Sequence, residues 1–352
     1  MGLGKFSLPR SLKLLLVLGA IDSFSLGGSA LAQPVSAPQP LPIYPPTAPP
    51  RPVPRVEPEN LRDYRVSALQ ADGNGHLWVG SWQGLAKIDP KTGRILARVS
   101  LPNPTIGAMA VDRAGGVWVG TAEGLLRIDP RRNTTTTHNF LLPSNRVLAL
   151  LTDQRGFLWV GTDRGLVLIN PNLGSKMTTV QNLPGVSANA LTLDKEGHLW
   201  VGTLEGMVQI DTANAYILRR VTNLPGTIVQ TLGSSFWGTI WIGTPTGLLE
   251  FNPQNPGNLR SVTPLRGRDI TTIRFDQVNS LWVGTRTGLI RLNPFNGAVV
   301  GEVPDLPSAQ IYSLATDAGG KLWVGTGEGL AWVSMSSFRS GIHQTFQREP
   351  EQ

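Results

Sequence analysis

The sequence contains no cysteine, and this absence excludes several kinds of chemistry. Without cysteine the chain has no disulfide bond, no thiol nucleophile, no thiolate metal ligand and no N-terminal cysteine for lipid attachment. Histidine is scarce as well, and no pair has metal-ligand spacing on one element among His76, His138, His198 and His343. We therefore expect neither a metal ion nor a cofactor.

The sequence also lacks a concentrated block of basic charge. Its formal net charge is +7, but the lysines and arginines are scattered along the chain. A nucleic-acid-binding surface gathers basic side chains into a stripe, with aromatic side chains that stack on bases. We therefore expect no nucleic-acid partner.

An apolar run long enough to cross a bilayer is lacking near the N-terminus. The run that begins at Leu14 is interrupted at Asp22, whereas a membrane span needs about 20 residues. It follows a basic segment and precedes a small-residue cleavage motif that ends at Ala32. We interpret residues 1–32 as a secretory signal cleaved after Ala32, with a retained N-terminal anchor as the alternative. The mature chain would then have no transmembrane span, and export without disulfides fits the bacterial periplasm or secretion.

Proline is concentrated in one segment. Residues 33–58 contain 11 prolines, and this composition favours an extended polyproline II chain with few backbone donors. We interpret the segment as a disordered linker. A docking peptide for a partner domain is the alternative interpretation.

From about residue 64 onward the chain repeats the phrase [LVI]-W-[VI]-G-[ST], at intervals of 40 and then 41 residues. The repeated tryptophans are Trp78, Trp118, Trp159, Trp200, Trp241, Trp282 and Trp323. Each unit has four short apolar segments separated by turn residues, which in the first unit are 66–71, 77–81, 85–88 and 95–100. This pattern predicts an all-β fold, a seven-bladed β-propeller with four antiparallel strands per blade, over residues 59–347 and followed by a tail at 348–352.

The last blade has two candidate outer strands. Residues 342–347 can close the ring from the C-terminal side, and residues 53–56 can close it from the N-terminal side. Pro52, Pro54 and Pro58 each remove a backbone donor from the second candidate. We therefore favour closure by the C-terminal strand.

Two residue columns mark the turn before each tryptophan strand. The aspartate column is broken only by Ser235, and the glycine column only by Asn279. Both replacements suit a tight turn, because serine caps backbone amides and asparagine tolerates positive φ. We therefore interpret the aspartates as structural rather than calcium-binding, and the tryptophans as core residues rather than a sugar-stacking platform. After the third segment of each unit, a [DN]-P dipeptide predicts an Asx turn between the outer two strands. The dipeptide is incomplete at Asp211, which no proline follows, and at Ser334.

The full unit, D-x-x-G-x-L-W-V-G-T-x-x-G-L-x-x-I-D-P, resembles the two-component regulator propeller repeat. That family occurs in the periplasmic sensor part of bacterial hybrid histidine kinases and in stand-alone exported proteins. The resemblance implies a seven-bladed propeller with a ligand-sensing or binding role, often linked to saccharides. No kinase region follows the last repeat, so we expect a stand-alone propeller that signals through a partner. The repeats are also similar to the propeller of streptogramin lyases.

A ligand site is expected where the blades differ. In a propeller, the loops between the second and third strands and the starts of the innermost strands share the top face around the channel. Arg65 and Trp82 belong to one blade, and such a pair can stack a sugar ring or hold an anion. The expected ligand-binding set contains no catalytic and no metal-binding residue and comprises Arg65, Trp82, Gln83, Glu123, Arg146, Asp163, Arg164, Asn189, Glu205, Arg268, Asp269, Arg286, Tyr312 and Glu328.

Three classes of function fit these observations. The first is an exported, monomeric ligand-binding or sensory module that takes a small molecule, saccharide or peptide on its top face and feeds a two-component signalling partner. The alternative is a protein-interaction scaffold, and the second alternative is a lyase resembling the streptogramin lyases. No histidine maps to the top of the channel, and no acid and base groups converge there, so we expect no enzyme.

Overall fold

A computed structural model describes residues 64–101, 105–137, 140–317 and 319–347 of the chain. The predicted signal peptide at 1–32, the predicted linker at 33–58 and the predicted tail at 348–352 lie outside the described residues. His138 and the alternative closing strand at 53–56 lie outside them as well.

Each repeat folds into one four-stranded antiparallel sheet, with the strands in chain order. Blades 1 to 3 comprise β1 (Val66–Ala71), β2 (Leu77–Ser81), β3 (Gly84–Ile88), β4 (Ile95–Val99); β5 (Ile106–Val111), β6 (Val117–Thr121), β7 (Leu125–Asp129), β8 (Thr134–Thr137); and β9 (Val147–Thr152), β10 (Leu158–Thr162), β11 (Gly165–Asn170), β12 (Ser175–Val180). Blades 4 and 5 comprise β13 (Ala190–Leu193), β14 (Leu199–Thr203), β15 (Gly206–Ile210), β16 (Ile217–Val221); and β17 (Thr231–Ser234), β18 (Ile240–Thr244), β19 (Gly247–Phe251), β20 (Leu259–Ser261). Blades 6 and 7 comprise β21 (Ile270–Phe275), β22 (Leu281–Thr285), β23 (Gly288–Leu292), β24 (Val299–Glu302); and β25 (Ile311–Thr316), β26 (Lys321–Thr326), β27 (Gly329–Ser334), β28 (Ser340–Ile342). Short 3-10 turns follow β20 and β28, at Thr263–Leu265 and Gln344–Phe346.

This architecture is the seven-bladed all-β propeller that the repeat predicts. The blade core consists of the repeated tryptophans and the branched residues beside them, because β2 and its counterparts in blades 2 to 6 are buried along their whole length. In blade 7, β26 is buried from Leu322 onward, and Trp323 is 1% exposed. Burial of one tryptophan per blade removes a large aromatic surface from water, which is the main stabilising term of such a core.

The ring closes where blade 7 meets blade 1. The Ser313 hydroxyl of β25 donates to the Val66 carbonyl of β1 at 3.2 Å, and both blades contribute to one apolar cluster. The outer strand of blade 7 comes from the C-terminal side, as favoured, but it spans Ser340–Ile342 rather than 342–347. The strand is shorter because residues 344–346 turn inward, and this turn buries Phe346 completely.

The repeated aspartate and the repeated tryptophan are bonded to each other. In blade 2, one carboxylate oxygen of Asp112 accepts the Gly116 N–H at 2.8 Å, and the other accepts the Trp118 indole N–H at 3.0 Å. The same indole–carboxylate bond joins Trp78 to Asp72, Trp159 to Asp153, Trp200 to Asp194, Trp282 to Asp276 and Trp323 to Asp317. The carboxylate therefore closes the hairpin and satisfies a buried indole, which is a structural role for both columns.

Blade 5 replaces this bond with another polar network. Ser235 accepts the Thr239 N–H at 2.9 Å, but its short side chain leaves the indole N–H of Trp241 without a partner. The carboxylate stands instead on the third strand, where Glu250 lies opposite Trp241 in the sheet register. Glu250 accepts from the Thr239 hydroxyl at 2.9 Å and from Arg260 at 2.6 Å. The negative charge has thus moved from the hairpin to the neighbouring strand.

The turn chemistry agrees with the sequence pattern. Asn279 has a φ of 58°, and the six glycines of its column also have positive φ. Asp211, where the proline of the Asx-Pro step is missing, still accepts the Ala213 N–H at 2.8 Å. The Asx turn therefore persists without proline at that position.

The glycine two residues after each repeated tryptophan lets neighbouring blades approach closely. A Cβ added to Gly161 would lie 2.4 Å from the carbonyl oxygen of Ala188 in the next blade. The Ala188 N–H donates to the Thr162 carbonyl at 2.9 Å, so the two blades are joined there by a backbone bond. This contact sets the start of each innermost strand beside the top loop of the preceding blade.

Candidate functional site

A threonine or serine hydroxyl holds each top loop. In blade 3 the Thr162 hydroxyl accepts the Arg164 N–H at 3.2 Å and donates to the Gly165 carbonyl at 2.9 Å. Thr203 and Thr326 make the equivalent bonds in blades 4 and 7. Because the hydroxyl fixes the backbone of the loop, the blades differ mainly in the two side chains that they present.

Three of the predicted residues line one pocket on the top face. Arg65, Trp82 and Arg146 border a cavity of about 320 Å³ between blades 1, 2 and 3. The remaining lining residues are Ser67, Ser81, Thr105, Ile106, Gly107, Ala122, Val147 and Leu148. We call this cavity the top pocket.

Trp82 is half-buried and anchored along one edge. Its ring meets the Tyr64 ring in an edge-on contact, with centroids 5.0 Å apart and an interplanar angle of 62°. It also packs against the apolar cluster shared by blades 1 and 7. An indole held in this way keeps its orientation while part of its surface faces the pocket. Sequence analysis did not single out Tyr64, although no other blade has an aromatic residue at its position.

The top pocket is positively charged. Its lining contains two guanidinium groups and no carboxylate. The Arg65 guanidinium lies over the Tyr312 ring, 5.3 Å from its centroid, and such a cation–π contact contributes about 0.5–1 kcal/mol at an exposed site. Tyr312, another predicted residue, therefore orients one of the two cations. The Tyr312 hydroxyl donates in turn to the Gln310 amide oxygen at 3.0 Å.

The charges predicted for blade 6 do not contribute to the top pocket. Arg286 forms an ion pair with Asp269, and Arg268 pairs with Glu302 at 3.1 Å. The positive charge expected from the two arginines is therefore balanced within and beside that blade. Sequence reasoning placed Arg268, Asp269 and Arg286 on one face, but it did not predict these pairs and did not single out Glu302.

The other predicted residues are spread around the ring. The Gln83 amide oxygen accepts from Arg98 at 2.8 Å, and the Asn189 amide donates to the Val229 carbonyl at 3.2 Å, which joins the innermost strands of blades 4 and 5. The remaining loop residues lie outside the top pocket and are Glu123, Asp163, Arg164, Glu205 and Glu328. The predicted set is thus one pocket plus scattered loop side chains.

The three histidines in the described ranges do not line the top pocket. His76 and His198 each lie 3.4 Å from the aspartate of their own hairpin, Asp72 and Asp194. His343 contacts the Gly93 carbonyl at the seam between blades 7 and 1. In the described part of the chain, no group of three acidic or histidine side chains is placed to hold a metal ion. No helix within the described ranges has the length and apolar character needed to cross a bilayer.

Five segments match the two-component regulator propeller model: 60–83, 100–123, 141–164, 182–205 and 305–328. No curated protein matches the sequence. The five matched segments each contain the start of an innermost strand and the tryptophan strand of one blade.

Solved structures share the fold at low sequence identity. The extracellular domain of a hybrid two-component system from B. thetaiotaomicron is 21% identical with a TM-score of 0.63, over 75% of this chain and 39% of that one. A second such domain from B. thetaiotaomicron is 18% identical with a TM-score of 0.59, over 79% of this chain and 48% of that one. Virginiamycin B lyase from Staphylococcus aureus is 15% identical with a TM-score of 0.64, over 76% of this chain and 94% of that one. This chain therefore spans less than half of the two-component domains, and at these identities the likeness shows the fold alone.

Proposed function

Because the chain belongs to the two-component regulator propeller family, we propose that it is a ligand-binding module whose top pocket takes a saccharide or peptide fragment with an anionic group. One observation supports this proposal above the others. Arg65, Arg146 and Trp82 line the same cavity, and no carboxylate belongs to that lining.

The charge of the pocket favours an anionic group on the ligand. Guanidinium groups bind carboxylates through pairs of parallel hydrogen bonds, which are about twice as strong as neutral ones. The lining contains no acidic side chain. A ligand carboxylate placed between Arg65 and Arg146 would therefore make charge-assisted contacts and meet no carboxylate of the lining.

The side chains that line the top pocket favour a ligand with both a flat apolar surface and polar groups. The half-buried indole of Trp82 offers an apolar surface for a sugar ring or a side chain. Ser67 and Thr105 place hydroxyls in the same lining, and hydroxyls donate to and accept from sugar oxygens or peptide groups. A cavity of about 320 Å³ lies at the small end of the range for ligand pockets, roughly 300–1,000 Å³. One or two sugar rings or a short peptide segment suit that size.

Calorimetry with acidic and neutral cell-wall and polysaccharide fragments tests the proposal. We expect an acidic fragment to bind the wild type and a Trp82→Ala/Arg146→Ala variant to bind it at least about 100-fold more weakly, through loss of one charged and one aromatic contact. Arg164→Ala, in a top loop outside the pocket, is the matched control and should retain full affinity. Unchanged affinity in the double variant would exclude the top pocket as the site.

We also propose that the chain is exported with cleavage after Ala32 and works in the periplasm or outside the cell. The support is the N-terminal sequence pattern together with the extracellular origin of the two-component domains that share the fold. Intact-mass measurement of the protein from its native host should find a mature chain that starts at Gln33. A chain retaining residues 1–32 in the cytoplasm would contradict the proposal.

The proposed module is not an enzyme. The fold is shared with a lyase, but the top pocket is lined by no histidine, aspartate or glutamate that could serve as general acid or base. Incubation of the purified protein with the bound fragment, followed by mass spectrometry, should return the fragment unchanged. A cleaved or eliminated product would overturn this part of the proposal.

A protein-interaction role is the second candidate, and an exposed aromatic group on blades 5 and 6 favours it. Phe236 is 82% exposed and Phe295 is 74% exposed, and Trp237 stacks on Phe295 with centroids 4.7 Å apart. Exposed aromatic groups of this kind are common at protein interfaces. A photo-crosslinking residue at position 236, but not one at the equally exposed Leu173, should capture a defined partner in cells. Equal labelling at both positions would speak against this role.

A further inference from the structure

The lower half of the central channel holds a second cavity that shares no residue with the top pocket. It has a volume of about 510 Å³ and is lined by the innermost strands of blades 1 to 6. Its lining residues lie toward the ends of those strands, next to the hairpins that lead to the tryptophan strands. We call it the channel cavity.

Arg274 is the one charged side chain among the residues that line the channel cavity. In the sheet register it lies opposite Trp282. The residues opposite the other six tryptophans are all neutral, and they are Gln70, Ala110, Leu151, Thr192, Gly233 and Ala315. Since six blades form without a charge at this position, the propeller fold does not require one.

The Arg274 guanidinium makes no hydrogen bond or ion pair with the described residues. Other arginines that lie against the blades are paired, as Arg127 is with Asp112 and Arg155 with Asp153. Arg274 is exposed to the water of the channel and lies among the innermost strands that line it. Desolvation by these strands lowers the pKa of Arg274 from its ordinary value, yet an arginine stays protonated at neutral pH because that value is so high. A guanidinium in this position is accessible to an anion that enters the channel, and an anionic partner makes charge-assisted hydrogen bonds with it.

The rest of the lining selects among anions. Hydroxyls of Thr192 and Ser234 belong to a lining that is mostly polar, and the side chains of Leu150, Leu232 and Phe275 add a smaller apolar part. The innermost strands also present their free edges to the channel, and free edges offer backbone donors. One cation, several donors and a smaller apolar part suit a ligand with one anionic group and a small apolar body.

We propose that the channel cavity is a second binding site, which takes a small organic monocarboxylate with its carboxylate on Arg274 and its apolar part against the leucine and phenylalanine side chains. The site is independent of the top pocket, because the two cavities have no lining residue in common.

Thermal shift and calorimetry with benzoate and its neutral counterpart benzyl alcohol test this site. Benzoate should raise the unfolding temperature of the wild type in proportion to the logarithm of its concentration, since it binds the native state alone. Benzyl alcohol should have a much smaller effect. Arg274→Gln should weaken benzoate binding at least about tenfold, the loss expected for one charged hydrogen-bonded contact, whereas Arg146→Gln in the top pocket should not change it.

Three outcomes would overturn the inference. They are equal benzoate affinity in wild type and Arg274→Gln, equal stabilisation by benzoate and benzyl alcohol, and no binding of benzoate to the wild type. If Arg274→Gln fails to fold, Arg274→Lys decides: it keeps the charge but lacks the two-pronged donor, so binding should be weaker than in the wild type yet still stronger for benzoate than for benzyl alcohol. Equal protection by chloride would show a site for inorganic anions and would contradict the organic class.

Discussion

The aspartate at the start of each hairpin serves several partners at once. Asp112 accepts the N–H of Gly116 and the indole N–H of Trp118, and it pairs with the Arg127 guanidinium at 2.7 Å. The Asp112 residue is 6% exposed. Its removal therefore affects a turn, a buried indole and a cation together.

We expect Asp112→Ala to lower the free energy of unfolding by about 3 kcal/mol, because it leaves a buried donor and a partly buried cation without a partner. Urea denaturation measures the loss. Ser235→Ala is the matched control in blade 5, because Ser235 accepts no hydrogen bond from the Trp241 indole. This variant should lower the free energy of unfolding by about 1 kcal/mol, through loss of the side chain that caps the turn. Equal losses in the two variants would show that the aspartate acts only as a cap.

The first aspartate of the column also predicts a response to acid. Burial alone would raise the pKa of Asp72, but hydrogen bonds from the His76 and Asn74 N–H groups and from the Trp78 indole outweigh it and hold this pKa below its ordinary value. A carboxyl group with a lowered folded-state pKa stabilises the fold above its unfolded pKa, and this contribution is lost as the pH falls through the folded pKa.

The difference in stability between the wild type and Asp72→Asn should therefore be constant near neutral pH and shrink below about pH 4. Urea denaturation at a series of pH values measures both proteins. A difference that stays the same down to pH 2 would mean that the Asp72 carboxylate has no special stabilisation in the folded state.

At the scale of the blade, the polar network under the tryptophan comes in two arrangements. Blade 4 has Asp194 in the hairpin, with Gln209 on the third strand donating to it at 3.0 Å. Blade 5 has Ser235 in the hairpin and Glu250 on the third strand. Each arrangement places one carboxylate near the indole, and two at once would repel each other.

This reasoning predicts a non-additive pair of substitutions. Ser235→Asp alone should give little or no gain, because the new carboxylate faces Glu250. Ser235→Asp/Glu250→Gln recreates the arrangement of blade 4 and gives the Trp241 indole a partner, so it should exceed the single variant by about 1–2 kcal/mol. The two single variants and the double variant form a cycle that thermal or urea denaturation can close. An additive result would mean that Glu250 and the hairpin do not interact.

The sequence was sufficient to predict the blade but not the network inside it. Strand number and turn positions follow from local periodicity, and the first blade shows this at 66–71 and 77–81. The indole–carboxylate bond links residues six apart in sequence, and only the hairpin geometry brings Asp112 and Trp118 together. Both columns were predicted to be structural, but their interaction with each other was missed.

At the scale of the whole ring, the seam between blades 7 and 1 depends on the C-terminal turn. Phe346 is fully buried in the cluster shared by the two blades. His343 contacts the Gly93 carbonyl across the seam, and the Arg98 guanidinium lies 5.8 Å from the Phe346 ring centroid. These contacts join the C-terminal turn of blade 7 to blade 1.

We expect Phe346→Ala to lower the free energy of unfolding by about 3–5 kcal/mol, as for a large aromatic residue removed from a core. Hydrogen exchange should accelerate first in β1 and β27, which flank the seam, and later in blades 3 to 5. Phe251→Ala, at an equally buried phenylalanine inside blade 5, is the matched control and should not loosen the seam first. Uniform acceleration in the Phe346 variant would indicate that the seam is no weaker than other blade contacts.

The candidate sites also depend on the whole ring. Arg65, Trp82 and Arg146 are distant in sequence, and propeller topology alone placed them on one face, where they do line one pocket. The same topology could not separate them from Asp269 and Arg286, because pairing depends on side-chain positions. Arg274 was missed because its place in a strand pattern gave no reason to expect a charge in the channel.

The closure of the ring has a consequence for how such a gene changes. Every blade takes its four strands from one continuous stretch, so the borders of the sheets coincide with the borders of the sequence repeat. A stretch of DNA that encodes one repeat interval of 41 residues therefore encodes one complete sheet. Unequal recombination between repeats would gain or lose a whole blade in one event without splitting a hydrogen-bonded ladder. The number of blades is then set by which ring sizes the seam can still close.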